Sequence, residues 1–128
     1  MSLDSEVKKF TEISLDQANK VVKQVTNDVM TSTVKKTPVD TGQLANNWFA
    51  SIGSPMFMGK RLPDQSAGDS LDGIDTVVKA YKKSDWGQSL WLTNSLDYAN
   101  DIETGNKSGK APQGMMRLSM MNAVAKFK

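Results

Sequence analysis

From about Asp4 to Lys36 the apolar positions Val7, Phe10, Ile13, Ala18, Val21, Val22, Val25, Val29 and Val34 recur three or four residues apart, with Lys, Asp, Gln and Asn between them. That spacing predicts a long amphipathic helix. At 1.5 Å per residue it spans roughly 50 Å, more than a domain of this size needs to cover its core. Part of it is therefore expected to project or to pack on another chain. Five valines lower the intrinsic helicity of its second half, so packing must hold that half. Pro38 stops the helix, because it lacks a backbone donor and disfavours helical geometry at Thr37.

Asp40 followed three residues later by Gln43 fits a capping box and predicts a short helix over about 41–46. Residues 48–52, Trp-Phe-Ala-Ser-Ile, read as a first strand stopped by Gly53-Ser54-Pro55. Residues 55–73 have no period and read as a long loop, a length that is usually functional or disordered. Met56-Phe57-Met58 at its start either anchors on a neighbouring subunit or folds back over its own core. Residues 74–81 alternate Ile74, Thr76, Val78 and Ala80 and read as a strand, paired in a hairpin with residues 88–93. A short helix is expected over 96–103, pairing Tyr98 with Ile102 and stopped by Gly105. Pro112 opens a final helix with Met116, Met120, Val124 and Phe127 in one stripe and Leu118, Met121 and Ala125 beside it, core-facing first and an interface second. The sum is an α+β chain, 1–128 as one domain, with a small, mainly antiparallel sheet.

Composition narrows the chemistry. The 128 residues include no Cys and no His, which removes thiolate nucleophiles, imidazole bases, zinc fingers and disulfides. Leu, Ile, Val and Phe make up 27 residues, so the core is expected to be thin. No apolar run approaches the roughly 18 residues needed to cross a bilayer, and no membrane partner is expected. The N-terminus has no apolar signal core, so a soluble product that stays where it is made is expected.

Carboxylates remain the only general acid or base, which makes Asp40, Asp101 and Glu103 a hydrolase set to weigh. Each has a simpler role: Asp40 looks like a cap, and Asp101 and Glu103 point apart on a helical turn. The acidic stretch 69–75 lacks the alternating ligands and distant Glu of a calcium loop, and no phosphate-binding glycine loop occurs. No enzyme, cofactor or dedicated metal site is expected.

Charge is segregated. Residues 1–36 carry +1, residues 37–105 carry −4 and residues 106–128 carry +5. Acidic middle and basic tail can mate between copies, or the tail (Lys107, Lys110, Arg117, Lys126, Lys128) can face DNA, or it simply keeps a terminal helix soluble. With only two Arg and few aromatics in the tail, base readout has little support, and DNA contact would be passive and salt-sensitive.

Two stretches carry a resemblance. TPVDTGQLANNW, with Pro38, Asp40, Gly42, Leu44 and Trp48, resembles the TPVDTG-x-L-x-x-x-W segment after the long first helix of small neck or tail-completion proteins of long-tailed bacteriophages. Residues 93–105, with Asn94, Tyr98, Ala99, Glu103 and Gly105, resemble that family's N-x-x-x-YA-x-x-x-E-x-G segment, and Ala111-Pro112-Gln113-Gly114-Met115 follows at a suitable distance. Order and spacing agree over about residues 5–126. Gln43 stands where a basic residue is common, and the 55–73 loop lies outside the pattern.

The resemblance implies a structural virion protein of α+β fold, assembled in the host cytoplasm as a homo-oligomeric ring of six or twelve copies at the head-tail junction, around the DNA exit channel. Its implied partners are the head connector or adaptor, and the tail terminator or tail tube. Pro38, Asp40 and Gly42 would fix the corner after the long helix, and Trp48 would seat the first strand. Tyr98, Ile102 and Gly105 would pin the second short helix, and Glu103 would make a ring-stabilising polar contact. A DNA-binding accessory protein using the basic tail is the alternative.

Overall fold

The computed structural model describes residues 3–39, 41–56, 59–82, 85, 87–96, 98–104 and 114–127. Helix α1 runs Leu3–Lys36 and opens with Asp4 and Glu6 in its first turn, where acids complement the helix dipole. Residues 3–9 and 14–17 are exposed, whereas Met30, Thr33 and Val34 are buried, so among the described side chains α1 meets the core with its second half. The projection expected from its length is present within the chain. After the corner, a single 3-10 turn, Ala45–Asn47, leads into strand β1, Phe49–Ile52. The helix expected over 41–46 is thus only this turn; the Gln43 amide bonds the Thr41 hydroxyl, and Asp40 lies outside the described residues.

The largest correction concerns residues 68–81. Gly68–Ala80 form helix α2, not a loop followed by a strand. Ser70, Ile74 and Val78 are four residues apart and buried, with Leu71 and Val77 packed beside them. Alternation within 74–81 imitates a strand only when the upstream Ser70 and Leu71 are left out of the window. Strand β2, Leu90–Thr93, therefore has no hairpin partner at 74–81. It pairs antiparallel with β1, in the register Phe49↔Thr93 to Ile52↔Leu90. Helix α3, Ala99–Thr104, and helix α4, Met116–Phe127, complete an α+β architecture.

The core joins Met30 and Val34 of α1, Leu44, Trp48 and Ala50 from the corner and β1, Ile74 and Val78 of α2, Leu96, Ala99 and Met115. Helix α4 presents a different face from the one expected. Met115, Ser119 and Ala123 are buried, while Met120, Met121 and Val124 are 52%, 66% and 64% exposed. Small side chains let α4 lie close to α1, and the hydroxyls of Ser119 and Ser32 bond at 3.1 Å. Among the described residues no helix is long and apolar enough to cross a membrane.

Candidate functional site

The first motif builds a buried polar corner. The Thr37 hydroxyl donates to the Thr33 carbonyl at 2.8 Å and accepts from the indole Nε1 of Trp48 at 3.0 Å, which ties the end of α1 to the start of β1. Pro38 follows directly and ends the helix. Gly42 has φ +86°, and a methyl group there would lie 2.2 Å from the carbonyl carbon of Asp64. Its own carbonyl accepts from the amides of Asn46 and Asp64, so the close approach is hydrogen-bonded. Leu44 is buried, and its carbonyl accepts from the Asn94 side chain at 3.0 Å. Asn94 thereby joins the second motif to the first.

Four residues that carried no expectation hold this corner to the chain after it. The Asn46 Oδ1 accepts from the amides of Asp69 and Ser70 at the start of α2, while its Nδ2 donates to the Leu62 carbonyl and to Asp69. It caps α2 from outside, where Ala67, the residue at the cap position, supplies no side-chain bond. Asn47 brackets the backbone of Arg61, accepting from its amide at 2.7 Å and donating to its carbonyl. The Arg61 Nη1 donates to the carbonyls of Asn46 and Trp48, and the guanidinium lies 4.0 Å from the Phe49 ring centroid. Burial pulls its pKa below the ordinary value, and the charge of Asp69 opposes that.

Asp64 accepts from the Ser66 hydroxyl and amide and from the Gly68 amide, and these bonds hold its carboxyl below the usual carboxylate value. The sequence offers two signals for this knot: adjacent asparagines within the motif, just before Trp48, and one of only two arginines in a lysine-rich chain.

The second motif closes on α4. Both oxygens of Glu103 face the start of that helix: Oε2 accepts from the amides of Met115 and Met116 at 2.6 and 3.0 Å, and Oε1 from the amide of Arg117 at 2.9 Å. The Arg117 Nη2 donates to the Glu103 carbonyl at 2.8 Å. Within the chain, Glu103 thus caps the start of α4. Ala99 is buried, whereas Tyr98 is 43% exposed, so Ile102, packed against the core, pins α3. Asp40, Gly105, Lys107, Lys110, Pro112 and Lys128 lie outside the described residues, as do the side chains of Asp101 and Lys126.

Pro38, Gly42, Leu44, Trp48, Asn94 and Ala99 therefore come together as architecture around one core. Asp69, Asp72 and Asp75, the stretch compared with a calcium loop, lie exposed along α2. Among the described residues no group of acids could hold a metal ion. A separate apolar groove of about 460 Å³ opens between α1, β2 and α4, lined by Val25, Val29, Leu90, Leu92, Met116 and Met120.

Comparison with known proteins gives one family. A family model described as "Bacteriophage HK97-gp10, putative tail-component" matches residues 2–105, which takes in both motifs. No curated protein and no solved structure gives a match. The chain belongs to the HK97-gp10-like family of bacteriophage tail components.

Proposed function

We propose that this chain, as one domain over residues 1–128, is a subunit of a homo-oligomeric ring at the head-tail junction, around the channel through which DNA leaves. Family membership makes it a structural tail component. The observation that carries the finer reading is that the first half of α1 stands clear of the core. Such a surface serves contact with other chains rather than turnover of a substrate. The segregated charges of the acidic middle and basic tail favour repeated mating of two different faces, the condition for closing a ring. Six or twelve copies would meet the head connector or adaptor on one side and the tail terminator or tail tube on the other, in the virion, after assembly in the host cytoplasm.

The motif residues Pro38, Gly42, Leu44, Trp48, Asn94, Ala99 and Glu103 shape the subunit in this reading, and exposed α1 and α4 make the contacts. The experiment is to image the purified protein mixed with tails and with DNA-filled heads. Density for a ring at the junction is expected. Its absence from both mixtures, and from virions, overturns the proposal.

A further inference from the structure

The outer edges of β1 and β2 are not alike. The Gly53 amide donates to the Ser89 carbonyl at 2.8 Å, so in the register Phe49↔Thr93 to Ile52↔Leu90 backbone bonds are exchanged by Ser51 with Trp91 and by Phe49 with Thr93. The backbone groups of Leu90 and Leu92 therefore point away from β1, as those of Trp48 point away from β2. At Trp48 the chain covers them: the amide donates to the Ser70 hydroxyl at 3.0 Å, and the carbonyl accepts from Arg61 at 2.8 Å. Among the described residues nothing does the same for Leu90 and Leu92. Leu90, Trp91 and Leu92 all line the groove between α1, β2 and α4, and since successive side chains point to opposite faces, the groove runs along the edge of the strand.

An open edge is a template for another strand, and edges that stay single carry Lys, Pro or a bulge. Strand β2 has none of these. From Gly87 to Leu96 the chain has no charged residue, so β2 can lie antiparallel against its own copy without bringing like charges together. With Trp91 opposite Trp91 on a two-fold axis, the outward amide and carbonyl of Leu90 meet those of Leu92 in the second copy, and every outward donor finds an acceptor. The area agrees. Trp91, 39% exposed, and Met120, Met121 and Val124 along the rim leave about 450 Å² of mainly apolar surface per copy. At the roughly 60% apolar share of an interface this corresponds to about 750 Å² per partner, close to the roughly 800 Å² of a stable pair.

We propose that two free copies pair through the open edges of β2 and join their sheets into one across a two-fold axis. This does not rest on the ring. A two-fold pair closes on itself, whereas a ring with the head on one side and the tail on the other needs contacts that all run one way. The pair is the form of the free subunit, and entry into a ring opens it.

Residue-resolved amide exchange reads the edge directly. The amides of Trp91 and Thr93 face β1 and are protected at every protein concentration, while those of Leu90 and Leu92 slow about tenfold or more as sedimentation shows pairs forming. Pairs without slowing at Leu90 and Leu92 overturn the proposal, as does a chain that stays monomeric at the concentrations used for NMR. Slowing that appears only when tails are added assigns the edge to another virion protein and also overturns it.

The absence of cysteine allows a second reading. Trp91→Cys sets two thiols at a cross-strand pair with Cα atoms about 4.5 Å apart, within the span of a disulfide. Mild oxidation should bridge position 91 to itself far faster than it bridges Val7→Cys, an exposed control; equal rates refute the pairing. Where circular dichroism shows Trp91→Cys misfolded, Leu90→Pro takes its place, since proline is tolerated at the first residue of an edge strand and removes an outward donor while sparing the bonds to β1. Folded Leu90→Pro with a pairing Kd raised about tenfold or more supports the proposal, and an unchanged Kd overturns it.

Discussion

Replacing Glu103 by alanine removes the acceptor for three backbone amides at the start of α4, those of Met115, Met116 and Arg117. Losing a helix cap costs about 0.5–2 kcal/mol, and hydrogen bonds to a charged group contribute roughly 1.5–3 kcal/mol. The side chain keeps 23% of its exposure, so water replaces part of the loss. Since the three bonds share one carboxylate and do not add, Glu103→Ala should cost about 2–3 kcal/mol. For a chain of 128 residues, that is a fall of roughly 6–15 °C.

Glu103→Gln keeps one acceptor oxygen but turns an NH2 toward the Arg117 amide, and should lose about half as much. The assay is urea unfolding followed by tryptophan fluorescence, since Trp48 and Met115 share the core. It is repeated at two protein concentrations so that self-association is separated from monomer stability. A cost for Glu103→Ala below about 0.5 kcal/mol, the scatter of neutral surface changes, would refute the capping role. Unchanged monomer stability with weakened oligomers would restore the contact between subunits that the sequence suggested.

Gly42→Ala should cost roughly 3 kcal/mol or more, because a left-handed φ is combined with a clash against the Asp64 backbone; a thermal midpoint within 2 °C of the unaltered chain would contradict this. Asn46→Ala should cost about 2–4 kcal/mol by leaving the Asp69 and Ser70 amides and the Leu62 carbonyl without their partner, read by urea unfolding. Because the folded-state pKa of Asp64 is depressed, its contribution is complete above the ordinary value of 3.8 and is lost as pH falls through the lowered one. Asp64→Asn should therefore flatten the decline of the urea midpoint at acid pH, and an unchanged decline would exclude the role.

What the sequence disclosed follows from the range of the interactions. Helix α1 was legible because its period repeats over 34 residues, and the corner because Pro38 and Gly42 act through their own backbone. Helix α2 was not, since its buried stripe begins at Ser70, a polar residue whose value lies in accepting the Trp48 amide 22 positions away. The face of α4 was misassigned for a related reason. Hydrophobicity favours Met120 and Val124 as the inner stripe, but close approach to Ser32 selects Ser119 and Ala123. Asn46, Asn47 and Arg61 form most of their bonds across 13–24 positions, and no local pattern announces such pairs.

The overhang of α1 gives the molecule a lever arm. A helix is stiff along its length, so a tilt of about 10° about Met30, roughly 40 Å from Leu3, would sweep the tip of α1 through about 7 Å. Minute repacking around Met30 and Val34 thus becomes a large displacement at Leu3. Identical molecules anchored on a common platform can in this way reach targets that are unevenly spaced, without any one of them unfolding.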